Sequence, residues 1–588
     1  MSDNDRSTLT HHAMLVAWGQ FAQSIGLVRR FEAVPVHQKT VDHSPNRKVL
    51  EFLAAILGGL PHLQDISRSA HPLDRDPAVA RAWGQEGWAD YSGVSRTLSA
   101  LTMVEAQQFV QVLDDLSAPF VDQEVLLAMR DQGAVVYDAD LTGLPVSNGS
   151  SSYPNVAYGY MSDALQLGYQ AALVSLHSPT YGRLWLSTAL HPGDTVPCTQ
   201  AEALVRAAEA KTGVRPLRRT DLLRQRLAKG CRVAEERVQK AQRALIEAEE
   251  GERQAEQGAR LWQEQVTQWE AAYQQRQRRE RPHSRLAQAR HKQEVYRCRQ
   301  ARRQQEVAKA RQRLQREKSR LAQQQEVYAA LQQRLQHFEE ENASNPSPVR
   351  AILRLDAGFG TPENVALLIE MGYEVYTKPH GHWLEGLRQR LAKRASCWER
   401  VGGNAELVAW KAMAISSFPY PLDVALERFH TGTSQRLSLL LHYGEEPVTS
   451  DLLGWFRCYN GRQTIEAGIK EGKGVFAMHH LKVRSEAALY LQEHFATFAA
   501  NFVRWAARWL CTECCQRLEE WPERGLPGVK RQVQVLAHTS AYVEWQEQGC
   551  LLRFSDHSLW AGRSLQTIRQ HAYQMALPLF KSCYFSSG

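Results

Sequence analysis

The sequence lacks the features that mark secreted and membrane-spanning proteins. Its N-terminus, MSDNDRSTLTHHAM, lacks the apolar core that a signal peptide has. No apolar run in the sequence approaches the roughly 18 residues needed to cross a bilayer. The ten cysteines are scattered, apart from Cys511, Cys514 and Cys515, and give no disulfide framework. A zinc site at CTECC lacks further paired ligands, so we expect ordinary thiols there. These absences predict a cytoplasmic protein without a membrane partner.

Strong net charge is also missing, because the formal charge is only +8 over 588 residues. This is mild for a nucleic-acid-binding protein, but the distribution is uneven. Residues 231–340 carry 24 Lys and Arg against 16 Asp and Glu, so the remainder of the chain is neutral. Within 276–320 the ratio is 17 to 4. With 43% hydrophobic residues, the chain should form several domains around sizeable cores.

The first segment, residues 1–130, is predicted to be a helical DNA-binding domain. Apolar residues recur at three- and four-residue spacing in KVLEFLAAILGGL and TMVEAQQFVQVLDDL, with no strand-like alternation. In DYSGVSRTLSALT, a Gly turn could open a recognition helix with Arg96 near its start. An ordinary packed helical bundle explains the same residues equally well.

Strand periodicity begins at Gly133 with AVVYDADLTGLPV. Within residues 131–218 the predicted strands continue through VAYGYM, GYQAALVSLHS and YGRLWLSTALHPGDT, and an amphipathic helix, CTQAEALVRAAEAKTG, follows. The first strand, AVVYDADLTGLPV, carries Asp138 and Asp140 two residues apart, hence on the same face. Either carboxylate could reach a metal ion.

Residues 219–345 are predicted to form an antiparallel coiled-coil hairpin that projects from the body. Apolar residues from Ala234 to Tyr273 alternate gaps of four and three, and Val307, Leu314, Leu321, Tyr328 and Leu335 recur every seven. Pro282 marks the tip. The basic bias favours sequence-independent DNA phosphate contacts, with Arg285, Arg290 and Arg313 as candidates; dimerisation or simple solvation of the arms is the alternative.

Strand character returns in residues 346–380, where VRAILRLDAGFGT places Asp356 at a strand end. Gly358 and Gly360 predict a tight turn, and Thr361 and Pro362 predict a helix start. A carboxylate at the exit of a parallel strand is where open α/β sheets bind ligands. A turn or capping role is the alternative for Asp356.

The rest of the chain divides into a β-rich insertion (381–450), a segment around YNGRQTIEAGIKEGK (451–500) and a C-terminal region (501–588). In the insertion, Trp398 and Trp410 are candidates for stacking on a displaced base, although burial is the commoner fate of Trp. The C-terminal region contains a predicted strand pair in QVQVLAHTSAYVEWQEQGCLLRF.

The segment from Tyr459 to Lys473 has the most specific pattern. On one α-helix, Tyr459, Arg462, Glu466 and Lys473 would lie within about 60° of one another. A carboxylate, two cations and a phenol on one face suit a metal ion beside a phosphate, whereas most charged helix faces are simply solvated.

This Tyr-x2-Arg-x3-Glu-x6-Lys spacing resembles the signature of the bacterial insertion-sequence cut-and-paste transposases, the DDE enzymes. RLDAGFGT also resembles their second-Asp segment, and Asp140-Leu-Thr142 fits the first, in which an Asp ends a strand close before a Thr. The resemblance covers about 133–213 and 348–491. The hairpin is not in the usual place for an insertion in this group.

The resemblance implies an α/β fold: an RNase H-like catalytic core with a helical N-terminal domain, a long antiparallel coiled-coil insertion and a β-rich insertion. It implies catalytic, metal-binding carboxylates at Asp140, Asp356 and Glu466, with two Mg²⁺ per active site and Mn²⁺ as a substitute. Tyr459, Arg462 and Lys473 would bind DNA phosphates. The implied partners are double-stranded DNA, as terminal inverted repeats and target, and a second copy of the chain, acting at the bacterial nucleoid.

Other functions remain open at this point. A transposase-derived architectural protein would use the basic hairpin and helical N-terminus without catalysis, whereas a stand-alone metal-dependent nuclease would share the carboxylates without needing paired ends. A coiled-coil scaffold with a coincidental triad is a further alternative. Cleavage restricted to one terminal repeat sequence would distinguish the transposase from the nuclease.

Overall fold

The computed structural model describes residues 7–39, 42–147, 153–161, 164–275, 282–381, 384–432, 434–511, 526–558 and 560–568. The protein is mixed α/β, with one large mixed sheet and one small antiparallel sheet in this part of the chain. It separates into two compact units, one formed by residues 1–217 and 347–588 and the other by Arg218–Pro346. None of the described helices is long and apolar enough to cross a membrane.

The N-terminal segment of the first unit is helical but begins with a strand, β1 (Ser7–Thr10). Its helices are α1 (Ala13–Ser24), α2 (Leu27–Glu32), α3 (Pro45–Leu57), α4 (Asp65–Arg68), α5 (Pro77–Ala82), α6 (Tyr91–Ala100) and α7 (Met103–Gln132). The prediction of an uninterrupted helical segment is wrong at β1, because a strand of four residues is too short to show alternation and pairs with a distant partner.

Helix α6 contradicts the predicted Gly turn. Asp90 caps the helix by accepting a hydrogen bond from the Gly93 amide at 2.8 Å, so Gly93 lies inside the helix rather than before it. Arg96 is exposed in the middle of α6, where its guanidinium donates to the Ser92 hydroxyl at 3.3 Å.

The large sheet starts with an antiparallel group of strands and one helix. These are β2 (Val135–Pro145), β3 (Ala157–Met161), β4 (Ala164–Leu176), β5 (Leu184–Pro192) and α8 (Ala201–Thr212). Strand β4 pairs with β2, β3 and β5, antiparallel in each case. Most of β2 is buried, because it has neighbours on both sides and helices α7 and α8 against it.

The second unit is formed by two long helices, α9 (Thr220–Gln274) and α10 (Pro282–Ala343). Ion pairs join Arg224 to Glu339 and Arg290 to Glu270 across them, so the helices run antiparallel, as the heptads predict. Their seam buries Ala234, Ala241, Ala255, Val266, Val307, Leu331 and Phe338. The predicted seam fails at Tyr273, which is 49% exposed. Residues 276–281 of the predicted tip lie outside the described residues.

After this unit the chain returns to the large sheet. The elements are β6 (Ala351–Leu355), α11 (Pro362–Glu370), β7 (Glu374–Thr377), α12 (Glu385–Arg394), β8 (Glu399–Arg400), β9 (Ala405–Met413), β10 (Leu422–Thr431) and β11 (Ser434–Tyr443). Strand β6 lies parallel to both β2 and β7. Strand β11 pairs with β7, so the β-rich segment continues the same sheet, in the order β3-β4-β2-β6-β7-β11-β10-β9-β8 with β5 on β4.

The remaining elements are α13 (Leu452–Asn460), α14 (Gln463–Val475), α15 (Glu486–Trp509), α16 (Val529–Gln534), β12 (Ala541–Gln546), β13 (Gly549–Phe554) and β14 (Ser564–Ile568). Helix α15 is buried over most of its surface, and its Asn501 amide hydrogen-bonds both backbone groups of Trp185 in β5. The predicted strand pair β12–β13 forms, and β1 and β14 extend it to a sheet of four strands. The first three residues of QVQVL are the end of helix α16 rather than strand.

Candidate active site

Two aspartates lie side by side, just past the last residue pair that joins the parallel strands β2 and β6. The register between β2 and β6 runs from Val135 opposite Ala351 to Ala139 opposite Leu355. Asp140 and Asp356 are the next residues on the two strands, so the sheet places them side by side. The sequence predicted that Asp140 ends its strand, and this is wrong: β2 continues to Pro145 because β4 pairs with it from Tyr137 through Pro145.

Asp138, the alternative first ligand, is tied into the sheet. Its two carboxylate oxygens accept hydrogen bonds from the Arg354 guanidinium at 2.7 and 2.6 Å, and both side chains are buried. Because the planar guanidinium binds both oxygens, Asp138 and Arg354 form a structural ion pair. Asp140 is the carboxylate of this strand that faces Asp356 and Glu466.

The segment from Tyr459 to Lys473 is two helices, not the single helix that the sequence predicted. Helix α13 ends at Asn460, and a turn at Gly461 and Arg462 precedes α14. A Cβ at position 461 would overlap the Arg354 guanidinium, which also donates to the Cys458 carbonyl at 3.0 Å. Only a glycine allows the chain to pass Arg354 this closely.

The turn directs Arg462 between the carboxylates. Its guanidinium lies 3.2 Å from the Asp140 carboxylate and also pairs with Glu466 in the first turn of α14. The Arg462 and Asp140 side chains are 14% and 13% exposed, whereas Glu466 is 44% exposed. Three acidic groups and one guanidinium thus share one partly buried site, in which carboxylates outnumber the guanidinium that pairs with them.

This excess of negative charge affects the protonation of the aspartates. Burial, followed by the charge of Asp356, raises the pKa of Asp140 to about 7. Burial also raises the pKa of Asp356, against the opposing effect of Arg462. A carboxylate that is costly to ionise in a polar cleft indicates a site that would gain from an added cation.

Tyr459 and Lys473 flank the carboxylates in different ways. Tyr459 is 6% exposed, lies close to Arg462 and packs in a core cluster with Trp455 and Tyr376. Burial raises the pKa of its phenol. Lys473 is half-buried and donates to the Gly143 carbonyl of β2 at 2.8 Å, and burial lowers the pKa of its ammonium.

The donor set suits a divalent cation by its chemistry. Three carboxylates are the all-oxygen ligands that Mg²⁺ prefers, and their mutual repulsion supplies a reason to bind one. The described residues contain no group of three His, Cys, Asp or Glu side chains already arranged around a metal position. In this arrangement Arg462 provides the positive charge, so a metal ion bound by Asp140 and Glu466 would require the guanidinium to move outward.

Replacing Asp140 by Asn should stabilise the protein at pH 8 more than at pH 4.5. The folded-state pKa of about 7 lies above the ordinary value, so ionisation opposes folding, and wild type loses stability as the pH rises from about 4 to 7. The variant lacks this loss. Thermal unfolding at both pH values measures it, with a shift of about 1 °C for each kcal/mol in a chain of this length.

The exposed Asp556 provides the control for this measurement. Asp556→Asn removes one carboxylate far along the chain from the site and should leave the pH dependence of the melting temperature as in wild type. If Asp140→Asn and Asp556→Asn shift the melting temperature equally at both pH values, the pKa of Asp140 is not raised.

The other predicted DNA-binding side chains lie elsewhere and are partly engaged. In the second unit, Arg285 lies over the Trp269 ring at 4.9 Å, Arg290 pairs with Glu270 at 2.7 Å and Arg313 is exposed. In the first unit, Trp398 is covered by the Arg428 guanidinium at 4.0 Å. Trp410 lies on β9 opposite Val424 and is half-buried. Cys511 is a free thiol, and Cys514 and Cys515 lie outside the described residues.

Sequence reasoning missed the arginines that hold the site together. Arg183, whose side chain is 6% exposed, donates to the Thr464 carbonyl at the start of α14 and pairs with Glu471 at 3.5 Å. It passes over Gly468, where a Cβ would overlap its guanidinium. The available signals were a charged residue inside an apolar strand, as in AILRL, and the glycines at 461 and 468 within an otherwise helical pattern.

Comparison of the chain with protein-family models finds no match. Comparison with curated proteins likewise finds no match. The fold and the site define a mixed α/β protein with an acidic site where the parallel pairing of β2 and β6 ends.

Proposed function

We propose that the protein is a DNA transposase that cleaves the ends of a mobile element and joins them to target DNA. The observation that carries the proposal is the convergence of Asp140, Asp356 and Glu466 on Arg462. The helical signature lies between Tyr459 and Lys473, and the resemblance requires two upstream aspartates to lie beside it. Asp140 and Asp356 reach this site from two strands that are more than 200 residues apart in sequence. The geometry therefore agrees with what the resemblance requires.

The strand order supports an RNase H-like core within the mixed sheet. Three antiparallel strands, β2, β4 and β5, are followed by helix α8 and then by β6, parallel to β2. Three strands and a helix are how an RNase H-like fold begins. In this proposal the β2 and β6 edges and α14 form the catalytic core, and β8 to β11 are the insertion that helps to hold the DNA end.

In the proposed reaction, Asp140, Asp356 and Glu466 would hold two Mg²⁺ ions, with Mn²⁺ as a substitute. The bound ions would activate water or a 3′-hydroxyl and stabilise the leaving oxygen in an in-line displacement. Arg462, displaced from the carboxylates, would pair with a phosphate through its planar guanidinium. Lys473 would add a point charge after leaving the Gly143 carbonyl, and the buried Tyr459 would orient Arg462.

The second unit supplies a separate reason to expect DNA as partner. Residues 276–320 carry 17 basic and 4 acidic residues, and many of the arginines on α10 are largely exposed, including Arg297 and Arg302. Such side chains suit salt-sensitive phosphate contacts without base readout. Reaction at two element ends would require two copies of the chain, so we propose a homodimer on DNA.

One observation favours a second candidate, a transposase-derived architectural protein. Arg462 already provides the acidic site with a counter-ion through Asp140 and Glu466. A protein that only binds DNA could keep this ion-pair network for stability. The two candidates differ in whether added Mg²⁺ produces strand cleavage.

The test is cleavage of labelled duplexes that carry the two ends of the element, incubated with the purified chain and Mg²⁺. Cleavage at the element boundary that needs both ends supports the transposase, while cleavage of unrelated duplexes at equal rates supports a nuclease instead. Binding without cleavage, under Mg²⁺ and Mn²⁺ and with paired ends, would favour the architectural protein.

A further inference from the structure

A second acidic site lies in the same unit, on the side of β4 and β5 that faces helix α15. A cavity of about 280 Å³ is lined by residues of β4, β5 and α15, together with Met103 at the start of α7 and Pro154 and Asn155 before β3. The rings of Tyr169, His191 and Tyr490 form part of its wall. We call this cavity the Glu493 pocket, after the residue described next.

Glu493 contributes a buried carboxylate to this pocket. The side chain is 1% exposed, and neither carboxylate oxygen has a hydrogen-bond partner within the described residues. Burial raises the pKa of Glu493 to about 8, although the charge of Lys473 acts in the opposite direction. Since an unpaired buried carboxylate is costly, this group is available for a ligand that brings its own donors.

The other polar groups of the pocket match the same kind of ligand. The Thr188 hydroxyl, on β5, is also buried without a hydrogen-bond partner in the described part of the chain, and can accept a second hydrogen bond. Glu486, about two helical turns before Glu493 on α15, adds an exposed carboxylate to the lining. Burial keeps His191 and His494 neutral by lowering the pKa of each ring, so neither supplies a positive charge.

We propose that the Glu493 pocket binds an organic cation through an ammonium or guanidinium group. The histidines of the lining supply no positive charge for an anion. A charged N–H donor makes its strongest hydrogen bonds to a carboxylate and would favour the ionised form of Glu493, and aromatic faces attract cations. The ligand's charged end lies against Glu493 and Thr188, and its aliphatic part packs on Leu190 and Leu489. This inference does not depend on the proposed transposase activity.

The cation can come from two sources that share this chemistry. A free aliphatic amine or guanidine would enter the pocket alone, whereas a Lys or Arg side chain would arrive on a polypeptide. Three probes separate these sources: 1,4-diaminobutane, agmatine, and a capped tripeptide with a central arginine, acetyl-Gly-Arg-Gly-amide.

The test is titration calorimetry of each probe into the full chain, with wild type compared with Glu493→Gln. The amide keeps the shape and removes the charge, so loss of a charged hydrogen bond should weaken binding by roughly 10- to 100-fold. Thr188→Val, which keeps the volume of the side chain, should weaken it less but measurably. Glu544→Gln, which changes a partly exposed carboxylate on β12, is the matched control and should bind as wild type does.

Each result bears on the inference. Binding of the amines that is lost in Glu493→Gln supports a free cation as ligand, and binding of the tripeptide alone supports a polypeptide side chain. Failure of all three probes to bind wild type would overturn the inference, as would equal binding by wild type and both pocket variants. Melting curves establish that Glu493→Gln is folded; if it is not, Thr188→Val decides.

Discussion

Glu466→Gln is expected to abolish Mg²⁺-dependent DNA strand cleavage while leaving DNA binding intact. This result depends on the proposed function. The amide keeps the size of the side chain and removes the charge that would bind metal. Because metal stabilisation of a transition state is worth several kcal/mol and about 1.4 kcal/mol is tenfold in rate, the loss should be on the order of 10³-fold. Cleavage rates on a labelled end duplex, with affinity measured in Ca²⁺, give both quantities.

The first turn of α12 offers a matched control for this variant. Glu385, like Glu466, is a partly exposed carboxylate in a first helical turn and pairs with an arginine three or four residues away along the chain, in this case Arg388 at 2.7 Å. Glu385→Gln therefore removes the same helix-terminal charge and ion pair, without touching the site. Similar cleavage rates in wild type and Glu466→Gln would reject the triad, and equal losses in both variants would point to destabilisation rather than chemistry.

Arg354→Met should destabilise the protein by about 3–5 kcal/mol, because it leaves the Asp138 carboxylate buried without its partner. Asp138 has no exposed surface and accepts from Arg354 with both oxygens; the Thr464 hydroxyl adds one longer hydrogen bond of 3.4 Å. The Met side chain fills a similar volume, so the loss arises from uncompensated charge rather than from a cavity. Urea unfolding, followed by tryptophan fluorescence, measures the change relative to wild type.

The Arg553–Glu544 pair provides the comparison for this result. It is also a bidentate pair between neighbouring strands, at 2.7 and 3.3 Å, but its side chains are 60% and 38% exposed. Arg553→Met should therefore cost no more than about 1 kcal/mol. A double variant, Asp138→Leu with Arg354→Met, should recover most of the stability; if it is no more stable than Arg354→Met alone, the buried charge is not the cause.

Local signals in the sequence predicted those parts of the site that local chemistry determines. The Asp356 segment forms the predicted strand, turn and helix, with the Thr361 hydroxyl accepting from the Asn364 amide and Pro362 at the first helical position. The heptads of α9 and α10 likewise indicate which residues face the seam, because a coiled coil is specified by a repeat within each helix.

Features that depend on residues far away in the sequence could not be predicted from local sequence signals. Whether β2 stops at Asp140 depends on β4, whose pairing continues to Pro145 opposite Gly168. The break between α13 and α14 depends on Arg354, a residue of β6 whose guanidinium lies beside Gly461. Strand β1 is four residues long and forms only because β12, more than 500 residues later, pairs with it.

The ends of the second unit bear on how the large sheet can form. Strands β2 and β6 are separated in sequence by this unit, and closing so long a loop costs entropy, although the cost grows only logarithmically with length. Arg218 pairs with Glu341 at 2.7 Å, and its backbone exchanges two hydrogen bonds with the Asn342 side chain. The two helices of this unit can form and pair from local contacts, which are fast to form. Once they are paired, residues 218 and 342 are held together. For the assembling sheet, more than 120 residues act as a short connection, and β6 reaches β2 without a long conformational search.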